Sequence, residues 1–208
     1  MRPRTTPGRA AQPILRAMPD EHLIETTLES RILHRGRFIT FRIDTIRDAA
    51  GRPGVREVVE HPGAVAILAI DGDDVLLVRQ YRTPIGRVLL ELPAGTLDRL
   101  ADGTVEDPDV AATRELGEET GHRAGRWRLL ARFWSAPGFT EELMHLYLAT
   151  DLQPIEAYMG PDEDEHLEVE RLPWREAVEM AKSGRIEDAK TLVGLLHLGH
   201  LAAAGEVG

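Results

Sequence analysis

Between about Glu29 and Glu60 apolar and polar residues alternate. In FITFRIDTIRD, Ile39, Phe41 and Ile43 alternate with Thr40, Arg42 and Asp44, which predicts a strand with one apolar and one polar face. The Gly and Pro of AAGRPG (Ala49 to Gly54) predict a hairpin turn, and VREVVEH predicts the returning strand. GAVAILAID reads as a buried strand, GDD as a turn, VLLVRQYR as its partner, and VLLELPAG follows. RWRLLARFWSAPGFTEELMHLYLAT predicts two more strands around a Pro-Gly loop. The tail then changes period. PWREAVEMAKSG and IEDAKTLVGLLHLGHLA space their apolar residues three and four apart, which predicts two helices broken at Gly184.

A third helix is predicted inside EDPDVAATRELGEETGH. Asp107 suits the N-cap, Pro108 the first helical position and Gly121 the residue past the end. At about 100° per residue, Glu115, Glu118 and Glu119 share one arc, with Ala111 and Ala112 leaving room beside it for a ligand. Val110, Thr113, Leu116, Gly117 and Thr120 lie opposite and are predicted to face the core. Gly117 costs roughly 1 kcal/mol relative to Ala, which predicts another backbone packed tightly against it. Glutamates three and four apart repel each other, and no lysines are interleaved to relieve them. The helix also follows a glycine-hinged loop, LPAGTLDRLADGTVE. A metal site and a solvated acidic face both remain open on spacing alone. Strands mixed with a central helix and a helical tail give an α+β domain.

Composition narrows the function. The 208 residues suffice for one sizeable domain, or one with a small appendage. The absence of cysteine excludes disulfides, zinc-thiolate sites and thiol nucleophiles, and it points to the cytoplasm. The longest purely apolar run, AVAILAI, is too short to cross a bilayer, so no membrane partner is expected. A net charge of -10 argues against sequence-independent nucleic-acid binding. It leaves room for a small anionic substrate, because bound divalent cations can reverse the local sign. Residues 1–20, with their scattered Arg and Pro, read as a disordered tail.

Glu106 followed by RELGEETG (Arg114 to Gly121) resembles the Nudix box, with Gly95 as its leading glycine. Two departures stand out. The spacer from Gly95 to Glu106 is longer than the family pattern, and His122 stands where an apolar residue is usual. The likeness runs from about Glu57 to Leu201 and is strongest to the ADP-ribose pyrophosphatases. REVVEHPGAVAIL, VRQYR, ELPAG, APGFTEE and the acidic loop PDEDEHLEV carry it. The resemblance implies a Nudix α/β/α sandwich with a mixed sheet over 61–208, after an N-terminal β-rich dimerisation region over 21–60. It also implies a cytoplasmic homodimer that hydrolyses ADP-ribose to AMP and ribose 5-phosphate. Its cofactor would be Mg²⁺, with Mn²⁺ as the alternative, at two to three ions per site. ADP-glucose, GDP-mannose, NADH or FAD as substrate, or a non-catalytic ADP-ribose sensor, are the alternatives.

The resemblance also implies roles. Glu115 and Glu119 are the first metal ligands, with Glu118 supporting and the Ala94 carbonyl completing the site. Arg114 orients a neighbouring glutamate, Glu106 organises the loop at the helix start, and Gly95 and Gly121 complete the box. Glu163 is the expected general base with Glu165 near metal, although Asp162 and Asp164 are close enough to confuse that assignment. Arg56 would face the adenosine and Arg82 the phosphates. Glu142, ahead of Glu141, would hold the adenine, and Phe38 would either stack on it or simply pack.

Overall fold

The computed structural model describes residues 20–156, 158, 160 and 166–206. Three strands come first: β1 (Thr26–Arg35), β2 (Thr40–Arg47) and β3 (Pro53–Glu60). They form an antiparallel sheet in that order. In β2 the polar face turns inward, opposite to the usual outcome of such a pattern. Asp44 and Ile46 are buried, while Ile39 is 42% exposed. The reason is an ion-pair cluster. Arg42 donates to Asp44 (3.1 Å), Glu60 (2.7 Å) and Glu141 (3.0 Å), so these charges are taken from water with partners in place. Glu141 lies in the Pro-Gly loop, where Val59 also accepts from the Glu141 N–H and donates to Phe139 O. The small sheet is thereby fastened to the rest of the molecule.

A second sheet uses β4 (Ala64–Asp71), β5 (Asp74–Arg82), β6 (Arg87–Glu91), β7 (Ala94–Thr96), β8 (His122–Trp134), β9 (Leu143–Pro154) and β10 (Leu167–Pro173). Its order is β10-β5-β4-β9-β8, with β6 beside β5 and β7 beside β4. β4 and β9 are parallel and the other pairs antiparallel, so the sheet is mixed.

The run AVAILAI has no polar position to offer to solvent, and β4 is covered on both faces. Val65, Ile67 and Ala69 pack against helix α1 (Pro108–Thr120). Ala66, Leu68 and Ile70 pack in the cluster of α2 (Trp174–Lys182) and α3 (Ala189–Ala203). Fully buried Leu68, Leu146, Leu195 and Leu198 each contribute roughly 2 kcal/mol to this α/β/α layering. Among the described residues no helix is long and apolar enough to cross a membrane.

Candidate active site

Helix α1 begins where Asp107 accepts a hydrogen bond from the Asp109 N–H at 2.9 Å. It ends at Gly121, whose φ of 67° is left-handed, and a Cβ there would come within 2.6 Å of the Tyr158 ring. Its inward face is rotated from the one predicted. Ala111 and Ala112 are fully buried against the sheet and leave no space for a ligand, whereas Val110 and Thr113 are exposed. The small alanines let the helix lie close, and that closeness carries Glu115 and Glu119 inward to 5% and 2% exposure. Gly117 is not crowded either, since a Cβ there would meet Ile155 at an ordinary 3.5 Å.

Both buried carboxylates reach β7. Glu119 accepts from the Ala94 N–H at 2.9 Å. Glu115 occupies the space a side chain on residue 95 would need, so only glycine fits at Gly95. The long spacer after it folds into a small hairpin with a bridge between Arg99 and Val105. Glu106 closes its base, donating from its backbone N–H to Asp98 O (2.8 Å) and accepting from the Asp98 N–H (3.2 Å) on its carboxylate. The insertion therefore projects outward and leaves both ends of the box in place.

Arg114 ties these pieces together. It forks onto Glu106 (3.2 and 2.8 Å) and donates from Nη1 to Glu115 (2.8 Å) and Glu118 (2.9 Å). The hydrogen bonds from Arg114 hold the Glu106 carboxyl below the usual carboxylate range against the opposing effect of burial. Among the described residues no three acidic or histidine side chains converge on a single ion position. The donor chemistry nonetheless suits a hard divalent cation: two buried carboxylates one turn apart, with Glu118 and the Ala94–Gly95 backbone beside them.

Residues 60–193 match the family model for the NUDIX domain. The chain belongs to the Nudix family. The methanol dehydrogenase activator of Bacillus methanolicus is 38% identical over 84% of this chain and 92% of its own. The ADP-ribose pyrophosphatase of Bacillus subtilis is 35% identical over 85% of this chain and 93% of its own. A solved structure described as an ADP compounds hydrolase superposes with a TM-score of 0.73 at 26% identity, covering 88% of this chain and 97% of the other.

Ala94 and Gly95, which the glutamates of the Nudix helix touch, line a cleft of about 290 Å³ together with Arg82, Glu142, Asp188 and Lys190. Arg82 donates from Nε (2.7 Å) and Nη2 (2.6 Å) to Glu91, which is only 1% exposed and also pairs with Lys190. Burial pushes the Glu91 carboxyl up, but the two cations outweigh it and hold the group below the ordinary range. Glu142 sits on the other side of the cleft, accepting from the Ser135 hydroxyl and lying 3.7 Å from His61 Nε2. The Gly63 N–H donates to His61 Nδ1 at 3.1 Å, which leaves the proton of the neutral ring on Nε2.

Other expected residues lie elsewhere. Arg56 forms an exposed pair with Glu25, and Phe38 is 53% exposed, just before β2, with the Arg37 guanidinium over its ring. Neither lines the cleft within one chain. Glu163 and Glu165, with Asp162 and Asp164, fall outside the described residues. Sequence reasoning missed Glu91, Lys190, Ser135 and His61. A signal existed for Glu91 alone, since one acid inside the apolar run VLLEL must find a partner once buried.

Proposed function

We propose that the protein hydrolyses the pyrophosphate bond of ADP-ribose, releasing AMP and ribose 5-phosphate. One observation carries this reading. Two buried glutamates of the Nudix helix meet Ala94–Gly95 at the edge of a cleft that also presents Arg82 and Lys190. That pairing of carboxylates for a cation with cations for phosphate suits a diphosphate ester. The kinship with an ADP-ribose pyrophosphatase at 35% identity over most of both chains supports ADP-ribose as substrate.

In the reaction, water attacks one phosphorus, the bridging P–O bond breaks, and the departing phosphate takes the electron pair. Glu115, Glu119 and the Ala94 carbonyl would hold Mg²⁺ or Mn²⁺, with Glu118 supporting. Two to three such ions would supply positive charge for the phosphoryl oxygens and a more acidic water. Arg114 keeps Glu115 and Glu118 oriented, and Glu106 anchors Arg114. Arg82 receives a phosphate, Glu142 accepts from the base, Glu163 is the general base for the attacking water, and Glu165 is assigned to the metal.

The enzyme works in the cytoplasm as a homodimer. Exposed Leu28, Ile32, Leu33 and Val55 on the N-terminal sheet support the dimer, which also gives Arg56 and Phe38 a route to a partner's cleft. The test is a panel of ADP-ribose, ADP-glucose, GDP-mannose, NADH and FAD with Mg²⁺ and with EDTA. AMP released fastest from ADP-ribose, and abolished by EDTA, is the expected result. Faster turnover of another substrate would reassign the specificity. Binding of ADP-ribose without turnover would make the protein a sensor.

A further inference from the structure

Arg42 stands in β2 with its side chain 18% exposed. Its Nε, Nη1 and Nη2 each donate to a different carboxylate, those of Asp44, Glu60 and Glu141. Asp44 lies two residues along the same strand. Glu60 lies two residues beyond Val58, which pairs with Arg42 across β2 and β3, so it is a diagonal neighbour on the same face. Glu141 is different. It comes from the Pro-Gly loop, 99 positions further along the chain.

The residues that follow Glu60 and Glu141 are His61 and Glu142. Glu142 lines the cleft, with His61 Nε2 at 3.7 Å from its carboxylate. One guanidinium therefore grips the residue before each member of that pair. The loop is already tied to β3 by two backbone bonds, from the Val59 N–H to Phe139 O (2.8 Å) and from the Glu141 N–H to Val59 O (3.1 Å). The Glu141 carboxylate is 49% exposed, and an ion pair so open to water adds little to stability. What it adds is direction. With Glu141 turned to Arg42, the next carboxylate along the chain is delivered to the Ser135 hydroxyl and the cleft.

We propose that Arg42 is a positioning residue, acting through Glu141 to set the Glu142 carboxylate in the cleft. The small N-terminal sheet thus takes part in holding the substrate's base, although Arg42 itself does not line the cleft. The proposal rests on the reading of Glu142 as the acceptor for that base.

The test compares wild type with Arg42→Met, Glu141→Ala and Glu142→Ala, and with Glu141→Ala combined with Glu142→Ala. Kinetics with ADP-ribose and Mg²⁺, AMP binding by calorimetry and melting temperature are measured for each. Glu141→Ala cuts only the link to the loop and leaves Arg42 with Asp44 and Glu60, so it reports even if Arg42→Met does not fold. Misplacing one acceptor should raise KM and weaken AMP about 3- to 10-fold in Arg42→Met and Glu141→Ala, with kcat within about twofold. Once Glu142 is already alanine, Glu141→Ala should add less than about twofold, because the two residues act on one step. Unchanged KM and AMP affinity in Glu141→Ala, with only a lower melting temperature in Arg42→Met, would reduce Arg42 to a fastener of the sheet. A full additional loss in the double variant would overturn the route through Glu142. Wild-type KM and AMP affinity in Glu142→Ala would reject the role of Glu142 and the proposal with it. AMP affinity that depends on Glu141 and Glu142 in a wild type that does not hydrolyse ADP-ribose would keep the positioning role and reject the hydrolase.

Discussion

Two arginines near Ala94–Gly95 are both held by glutamate, yet the balance of charge around them differs. Arg114 serves three carboxylates, Glu106, Glu115 and Glu118, and Glu119 lies one turn further along the same helix. Arg82 shares the buried Glu91 with Lys190, and Lys190 also pairs with Asp188. The first region is short of positive charge, whereas the second is balanced, with two acids against two cations. A buried ion pair is roughly neutral for stability, so the acidic surplus of the first region marks what that region is built to receive. Under the proposed function a divalent cation joins the first region, and Arg82 of the second receives a phosphate. The residue types are the same in both regions, and stoichiometry alone separates their roles.

The largest effect should come from breaking the acidic side. Glu119→Gln keeps an oxygen that can accept from the Ala94 N–H, so the fold should persist. It removes the charge a cation needs, and kcat should fall about 10²- to 10³-fold or more. In wild type, saturating Mg²⁺ should raise the melting temperature by ligand linkage, and Glu119→Gln should lose most of that rise. Near-normal turnover in this variant would remove the Nudix helix from cation binding.

Arg114→Met probes the same side through its counter-ion. It removes the Arg114 ion pair from the buried carboxylates of Glu106 and Glu115. Losing one member of a buried pair costs about 3–5 kcal/mol, and because Arg114 is 28% exposed solvent screening discounts this to about 2–3 kcal/mol. Urea unfolding measures it. A loss well under 1 kcal/mol would show that water or a cation already neutralises these acids.

On the other side, Glu91→Gln should act on stability and its pH dependence. The folded carboxyl is held below its ordinary value of 4.5, so its contribution is complete above that pH and is lost as pH falls through the lower folded value. Glu91→Gln should therefore lower stability at pH 7 and flatten the decline seen in wild type on the acid side. An unchanged acid limb would mean that Arg82 and Lys190 do not depend on Glu91.

How much of this was legible beforehand follows from where the constraint lies. The strands, the caps of α1 and the break near Gly184 are local properties, and AAGRPG and AVAILAI each carry their own signal. The box glutamates were legible because their spacing is itself the motif. The buried face of α1 was not, because the choice between Ala111–Ala112 and Val110–Thr113 is made by how closely the helix approaches β4, a tertiary property. The Glu91–Arg82–Lys190 group joins β5, β6 and α3 across about a hundred positions, and an amphipathic pattern around Lys190 says only that a helix is present. Arg56 was named for the substrate, but within one chain its partner is Glu25.

Glu142 sharpens the comparison most finely, because it is a cleft carboxylate whose hydrogen bond comes from a neutral group. Its firm partner is the Ser135 hydroxyl. His61 Nε2 is 3.7 Å away, too far for a hydrogen bond, and burial lowers the His61 pKa so that the ring is neutral at pH 7. Glu142 thus keeps accepting capacity for a further donor, which the proposed function assigns to the substrate's base, unlike Glu91, which is committed to cations. Ser135→Ala removes the orienting hydroxyl and little else. KM for ADP-ribose should rise about 2- to 10-fold with kcat unchanged, and stability should shift by no more than about 0.5 kcal/mol. A fall in kcat at constant KM would instead place Glu142 with the reacting groups, and the cleft would then hold acid on both of its sides.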